Sequence, residues 1–209
     1  FVFASYESWE PAINRPADEQ MAHFNKPEFR QAFFEELEEE GGDEIWERIN
    51  VLDVRNPELE KYLNRTIMEI AGTEGKRPID VYFDISIADN LQTRYQVQAF
   101  NYDMAGVERL VKEDRFLIGL GDGGAHVEML CDAGYPTAVL QTWVRERQAI
   151  SLEKAIQKMT SVPAKIYNIP DRGILAEGNV ADLVLFDPDN VISKRPEYVS
   201  DLPLNGRRL

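Results

Sequence analysis

The sequence predicts an α/β fold, and three observations carry that reading. Between Arg94 and Phe100, Tyr95, Val97 and Ala99 alternate with Arg94, Gln96 and Gln98, the period-2 pattern of a strand. Asp103 then stands at a cap position before a helix from Met104 to about Lys112. Phe116 to Leu120 is a second short apolar run, so strand, helix and strand follow in the order of a parallel crossover unit. That run ends in a glycine cluster, Gly119, Gly121, Gly123 and Gly124, which holds one carboxylate, Asp122, and, four residues beyond it, one imidazole, His126. An acid leaving the carboxyl end of a buried strand stands where α/β folds keep their chemistry.

Taken in chain order, Phe1 to Asn14 carries Phe1, Phe3, Tyr6 and Trp9 without helical spacing and is expected to be a strand end leading into a partly buried irregular segment. Pro16 and Asp18 open a short helix to about Phe24, whose His23 is expected to be structural rather than a metal ligand. Pro27 starts a firmer helix with Phe29, Ala32, Phe33 and Leu37 on one face and Gly41-Gly42 as its stop. Its acidic run, Glu35 to Glu40, reads as a solvated face. Trp46 to Val54 reads as a strand broken by Asn56-Pro57, and Thr66-Ile67-Met68-Glu69 has capping-box spacing that opens a helix ending near Gly72. After Pro78 the period is ambiguous. Val81, Phe83, Ile85 and Ile87 alternate as in a strand, whereas Ile79, Tyr82, Phe83 and Ser86 fit a helix, and propensity favours the strand.

Beyond the glycine cluster, Pro136 to Gln148 is expected to be helical. Ser151 caps the next helix, with Leu152, Ala155, Ile156 and Met159 as its apolar face; Val162-Pro163 ends or kinks it, and Asn168 suits a left-handed cap. Gly173 to Phe186 reads as two short strands joined by a glycine turn, and Asn190 to Leu209, rich in proline and charge, as loop.

The 209 residues suffice for one substantial domain, or for one and part of another. A composition 44% hydrophobic and 29% charged is that of a globular rather than a disordered chain. The net charge of −14 argues against binding nucleic acid, which needs clustered Lys and Arg, but leaves a small-molecule substrate open. The single cysteine, Cys131, allows no intrachain disulfide and fits a reducing compartment. No apolar run approaches the ~20 residues that cross a bilayer, and Phe1-Val2-Phe3 lacks the basic region of a signal peptide. The expectation is therefore no membrane partner and a cytoplasmic location, for a chain that is a fragment or processed product because it opens without Met.

From the residues alone, three readings of 116–126 stand open. Asp122-Gly123 is a strong hairpin dipeptide, but Val127 to Gly134 supplies no convincing second strand. Gly119, Gly121 and Gly124 complete the nucleotide pattern G-x-G-x-x-G, yet Gly134-Tyr135-Pro136 interrupts the helix that such a site requires. The third reading is a carboxylate that binds a metal and moves a proton for an attacking water.

Four segments bear on the choice: Gly121-Asp122-Gly123-Gly124-Ala125-His126, Cys131 to Thr137, Thr160-Ser161-Val162-Pro163-Ala164, and Asp171-Arg172-Gly173 through Asp182-Leu183-Val184. Together they resemble the C-terminal part of the amidohydrolase superfamily, in the branch of the N-acyl-D-amino-acid deacylases, from about residue 76 to 190 and more loosely back to Phe1. The resemblance implies the last strands and helices of a (β/α)8 TIM-type barrel, with inserted helices, over 1–170. Over 171–209 it implies the beginning of a small β-sandwich, and it puts a helix after Pro78. It also implies a metal-dependent hydrolase of the C–N bond in an N-acyl amino acid or related compound, with a divalent metal, zinc first among them, in the full-length parent. Asp122 matches the acid that contacts the metal and takes the proton of the hydrolytic water. Gly123, Gly124 and His126 match motif positions that touch substrate or support Asp122, and a purely structural hydrogen bond by His126 stays open. Cys131 is implied to be a small buried neighbour, and Asn168 stands where the family usually shows glycine.

The same resemblance calls for a His-x-His pair on the first barrel strand and further ligands on the middle strands. The two histidines, His23 and His126, form no such pair, so the earlier strands are expected to lie outside this chain. Alone it is expected to bind catalytic metal poorly and to be inactive, needing an upstream portion or an oligomeric partner. A non-catalytic assembly or binding module, and a nucleotide-binding protein using Gly119, Gly121 and Gly124, are the alternatives.

Overall fold

The structure is a computed structural model that describes residues 3–121, 123, 133–194 and 197–208. Phe1–Phe100 form one unit and Asn101–Leu209 a second. In the first, helices begin where the sequence marks them. Helix α1 (Ala17–Phe24) follows Pro16, and α2 (Pro27–Glu39) and the helix Pro78–Ala88 carry proline in their first turn, where a missing N–H costs nothing and φ is preset. Helix α3 (Ile67–Glu74) opens on a complete capping box: Glu69 N–H donates to Thr66 Oγ1 at 3.0 Å and Thr66 N–H to Glu69 Oε2 at 2.9 Å. It runs past Gly72 and stops at Gly75, whose φ of +64° is the left-handed cap that favours glycine.

The apolar faces converge on an aromatic core. Phe3, Trp9, Phe33, Trp46 and Phe83 are all buried. Phe3 meets Phe33 edge to face at 4.9 Å, and Trp9 stacks on Phe83 at 5.8 Å, the offset and edge arrangements that ring quadrupoles prefer. On α2 the buried residues are Phe29, Phe33 and Leu37, while Ala32 is exposed and leaves the expected face. The stretch after Pro78 is helix α4 (Pro78–Ala88), as the resemblance implies and against strand propensity. Ile79, Val81, Tyr82, Phe83 and Ile85 are all buried. A helix with core on most sides satisfies either periodicity, which is why the pattern could not decide.

Strand β1 (Ile49–Asp53) pairs antiparallel with β2 (Arg94–Val97), Ile49 opposite Val97 and Val51 opposite Tyr95. The expected first strand of a parallel crossover thus takes an upstream antiparallel partner, because Tyr95 and Val97 pack on the same core as Ile49 and Val51. Trp46 precedes β1 in a 3-10 turn, Asp43–Glu47, rather than in the strand. Asp89, 2% exposed, ties these pieces together. Its carboxylate accepts from Arg55 N–H at 2.9 Å, Asn56 N–H at 2.6 Å and Thr93 Oγ1 at 2.7 Å, so the ends of β1 and α4 and the start of β2 share one acceptor.

In the second unit, Asp103 Oδ1 accepts from the N–H of Ala105 and Gly106 and caps α5 (Met104–Lys112), as expected. Phe116–Leu120, expected as a strand, is not one: residues 117–121 pair with no strand among the described residues. Helix α6 (Tyr135–Ala138) passes into a π-helix, Val139–Glu146. The wider turn brings Gln141 Nε2 to Glu146 Oε1 at 2.8 Å, a five-residue spacing that an α-helix would put on different faces. Helix α7 (Leu152–Met159) is capped by Ser151 Oγ, breaks at Thr160 and gives way to α8 (Ser161–Ile166); Asn168 has the left-handed φ of 51°. Val139, Leu140, Trp143 and Ala155 form the core of this unit.

Two further expectations are corrected. Gly173–Phe186 contains no strand, and its Val184 and Leu185 are 85% and 101% exposed, because no neighbouring strand among the described residues supplies hydrogen bonds. The C-terminal stretch expected as loop contains a hairpin of β3 (Val199–Leu202) and β4 (Gly206–Arg208). Asp201 and Arg208 join across it in a two-point ion pair at 2.7 and 2.9 Å. No helix among the described residues is long and apolar enough to cross a membrane.

Replacing the shared acceptor tests this account of the first unit. Asp89→Ala should lower its unfolding free energy by about 3 kcal/mol in urea titrations followed by tryptophan fluorescence. A loss below about 1 kcal/mol would mean that water substitutes for the carboxylate.

Candidate functional site

The four motif segments all fall in the second unit. Asp122, Gly124, His126 and Cys131 lie outside the described residues. Just before them, Leu120 has φ of +70° and is 91% exposed, a backbone angle that costs a leucine about 1 kcal/mol. Gly123 is described, and a Cβ there would stand 3.0 Å from Ala133 Cβ and 3.2 Å from Ala133 N. Glycine at 123 thus fits a close approach between the first motif segment and the second.

The second segment is held from its far side. Thr137 Oγ1 donates to Gly134 O at 2.9 Å, and from the following π-helix Gln141 Oε1 accepts from Ser193 N–H at 2.8 Å. Arg145 Nη1 donates to Val191 O at 2.7 Å and Pro188 O at 3.1 Å. The third and fourth segments touch each other directly. Gly173 has φ of +80°, and a Cβ on it would lie 2.9 Å from both Thr160 O and Ala164 Cβ. Beside this contact is an open groove of about 510 Å³ lined by Leu152, Ile156, Thr160, Ser161, Ile174 and Phe186, an apolar surface whose one acid is Glu153.

No group of three or more His, Cys, Asp or Glu among the described residues could hold a metal ion. The described residues therefore do not by themselves fit a catalytic metal. His23, expected to be structural, lies with its ring 6.1 Å from Phe29 in the first unit. A group that the sequence reading passed over is Lys158, 2% exposed on α7. Three positions after Ala155, it shares that residue's face, a spacing that could have flagged it beside the expected Met159. One turn earlier Lys154 Nζ pairs with Asp114 Oδ1 at 2.5 Å, and that contact holds the Asp114 carboxyl below its ordinary value.

A family model described as the amidohydrolase family matches residues 55–203, which contain all four motif segments. The chain belongs to the amidohydrolase family. Within it, the chain is 56% identical over 55 residues to N-acyl-D-aspartate deacylase of Alcaligenes xylosoxydans xylosoxydans, covering 26% of this chain and 11% of that protein. It is 32% identical over 137 residues to D-aminoacylase of the same organism, covering 65% and 26%. The crystal structure of N-acyl-D-glutamate deacylase from Bordetella bronchiseptica, complexed with zinc and a phosphonate inhibitor, matches at 25% identity and a TM-score of 0.41, over 74% of this chain and 31% of that one. This amidohydrolase chain thus spans between 11% and 26% of the length of these two curated relatives.

The contact between the third and fourth segments is the part of the amidohydrolase motif that the structure describes most fully. Gly173→Ala should destabilise the second unit by about 2 kcal/mol, through both the left-handed φ and overpacking against Thr160 and Ala164. Urea unfolding followed at Trp143 measures it, and an unchanged midpoint would show that the approach is not tight.

Proposed function

We propose that the parent polypeptide is a metal-dependent hydrolase of the C–N bond of an N-acyl amino acid or a related small molecule, acting in the cytoplasm, with Asp122 as general base. The observation that carries this reading is the family match over 55–203, which contains a carboxylate set among glycines at 121–126. The names of the relatives, N-acyl-D-aspartate deacylase and D-aminoacylase, support the substrate class.

A divalent metal, zinc first among those the family resemblance implies, would lower the pKa of the attacking water and polarise the acyl oxygen. Asp122 takes the water proton as its oxygen adds to the acyl carbon, and returns it to the leaving nitrogen when the C–N bond breaks; the products are a carboxylic acid and an amine, which at neutral pH stand as carboxylate and ammonium. Gly123 and Gly124 keep the backbone beside Asp122 slim enough for substrate to approach, and His126 orients Asp122 or contacts substrate. In this reading 1–170 completes a (β/α)8 barrel and 171–209 begins a small β-sandwich. The extended runs at 116–120 and 174–186 then take their partner strands from the rest of the parent, which also brings the remaining metal ligands. The chain by itself is inactive.

The purified 209-residue chain, given zinc and N-acetyl-D-amino acids, should release no free amine; turnover would overturn the claim that it lacks essential parts. In a polypeptide that restores the upstream portion, Asp122→Asn should lower kcat by roughly a hundredfold to ten-thousandfold. An undiminished kcat there would remove Asp122 from the role of base.

A further inference from the structure

We infer that Lys158 is a positioning residue whose buried ammonium fixes the start of the segment that delivers Asp122. Lys158 Nζ donates to Val111 O at 2.7 Å and to Glu113 O at 2.5 Å. Val111 is in the last turn of α5, where carbonyls have no partner within the helix and a cation also meets the negative end of the helix dipole. Glu113 O is the first carbonyl beyond that helix, and it also receives Phe116 N–H at 3.3 Å. One side chain of α7 thus ends α5 and fixes the point from which the chain runs through Phe116 and Leu120 to Asp122.

Burial lowers the Lys158 pKa below the ordinary lysine value, Lys154 works in the same direction, and Asp114 and Glu113 oppose them. An amine kept in such a place serves its two acceptors, because an apolar side chain of equal length would leave both carbonyls without their donor. Lys154, pairing with Asp114, adds a second hold from α7 on the same stretch. Only the consequence for catalysis rests on reading Asp122 as the base. The anchoring itself is a property of this chain without substrate or metal.

The test compares the wild-type chain with Lys158→Met and Lys158→Arg by amide NMR and hydrogen exchange, with no substrate or metal added. In Lys158→Met the Glu113 and Phe116 amides should exchange roughly tenfold faster. The cross-peaks of Gly121, Gly123 and Gly124 should shift or broaden while the amides of 152–159 keep their rates. Lys158→Arg, which restores a cationic donor, should recover most of both signals. Unmoved glycine cross-peaks in Lys158→Met would overturn the inference. So would equal loosening of α7, which marks mere packing, or failure of the arginine variant to recover. Should Lys158→Met not fold, Lys158→Gln, which keeps a donor but loses the charge, is read by the same criteria.

Discussion

An extended segment can satisfy its backbone N–H and C=O groups only against another segment or water, and this constraint separates the two units. In the first, β1 and β2 find each other, and their inward residues, Ile49, Val51, Tyr95 and Val97, join one aromatic core. In the second, the runs at 116–120 and 174–186 have the composition of buried strands but pair with no strand among the described residues. Leu120, Val184 and Leu185 therefore face water instead of a neighbouring layer. Apolar residues exposed in consecutive positions are what remains when strand propensity is present and the ladder is not.

Features set by a few adjacent residues were readable from the sequence. The capping box at Thr66, the proline opening α2, the Asp103 cap and the left-handed Asn168 all follow from local chemistry, and the structure has each. Features set by a distant partner were not. The pattern of Arg94–Val97 identified a strand but not its neighbour, since alternation is the same for parallel and antiparallel pairing. The hairpin at 199–208 reads as loop in sequence because prolines and charges dominate it, while the Asp201–Arg208 pair that braces it shows only once the strands face each other.

The candidate site follows the same division. An acid between glycines after an apolar run is a local signal, which is why Asp122 stood out. The close approaches of Gly123 to Ala133 and of Gly173 to Thr160 and Ala164 explain two motif glycines by space, and no spacing rule announces either. The π-helix is equally silent in sequence, since Val139–Glu146 carries residues that suit an ordinary helix. Its wider turn is secured by Gln141 and Arg145, which reach the segment from Pro188 to Ser193.

Helices α7 and α8 are where these threads meet. On one side, Lys154 and Lys158 reach Val111, Glu113 and Asp114, ahead of the first motif segment. On the other, the break at Thr160 places Thr160 and Ala164 against Gly173 in the fourth. Helices hold their side chains at fixed spacings, so a pair of them anchors two otherwise irregular segments more rigidly than loop-to-loop contacts could. The least ordinary residue of that frame is also the most telling. A lysine kept 2% exposed must give up hydration worth several kcal/mol, and two backbone carbonyls are the acceptors that offset the loss. A methionine would fill the same volume without that cost, so the amine is explained by what it holds and not by the space it occupies.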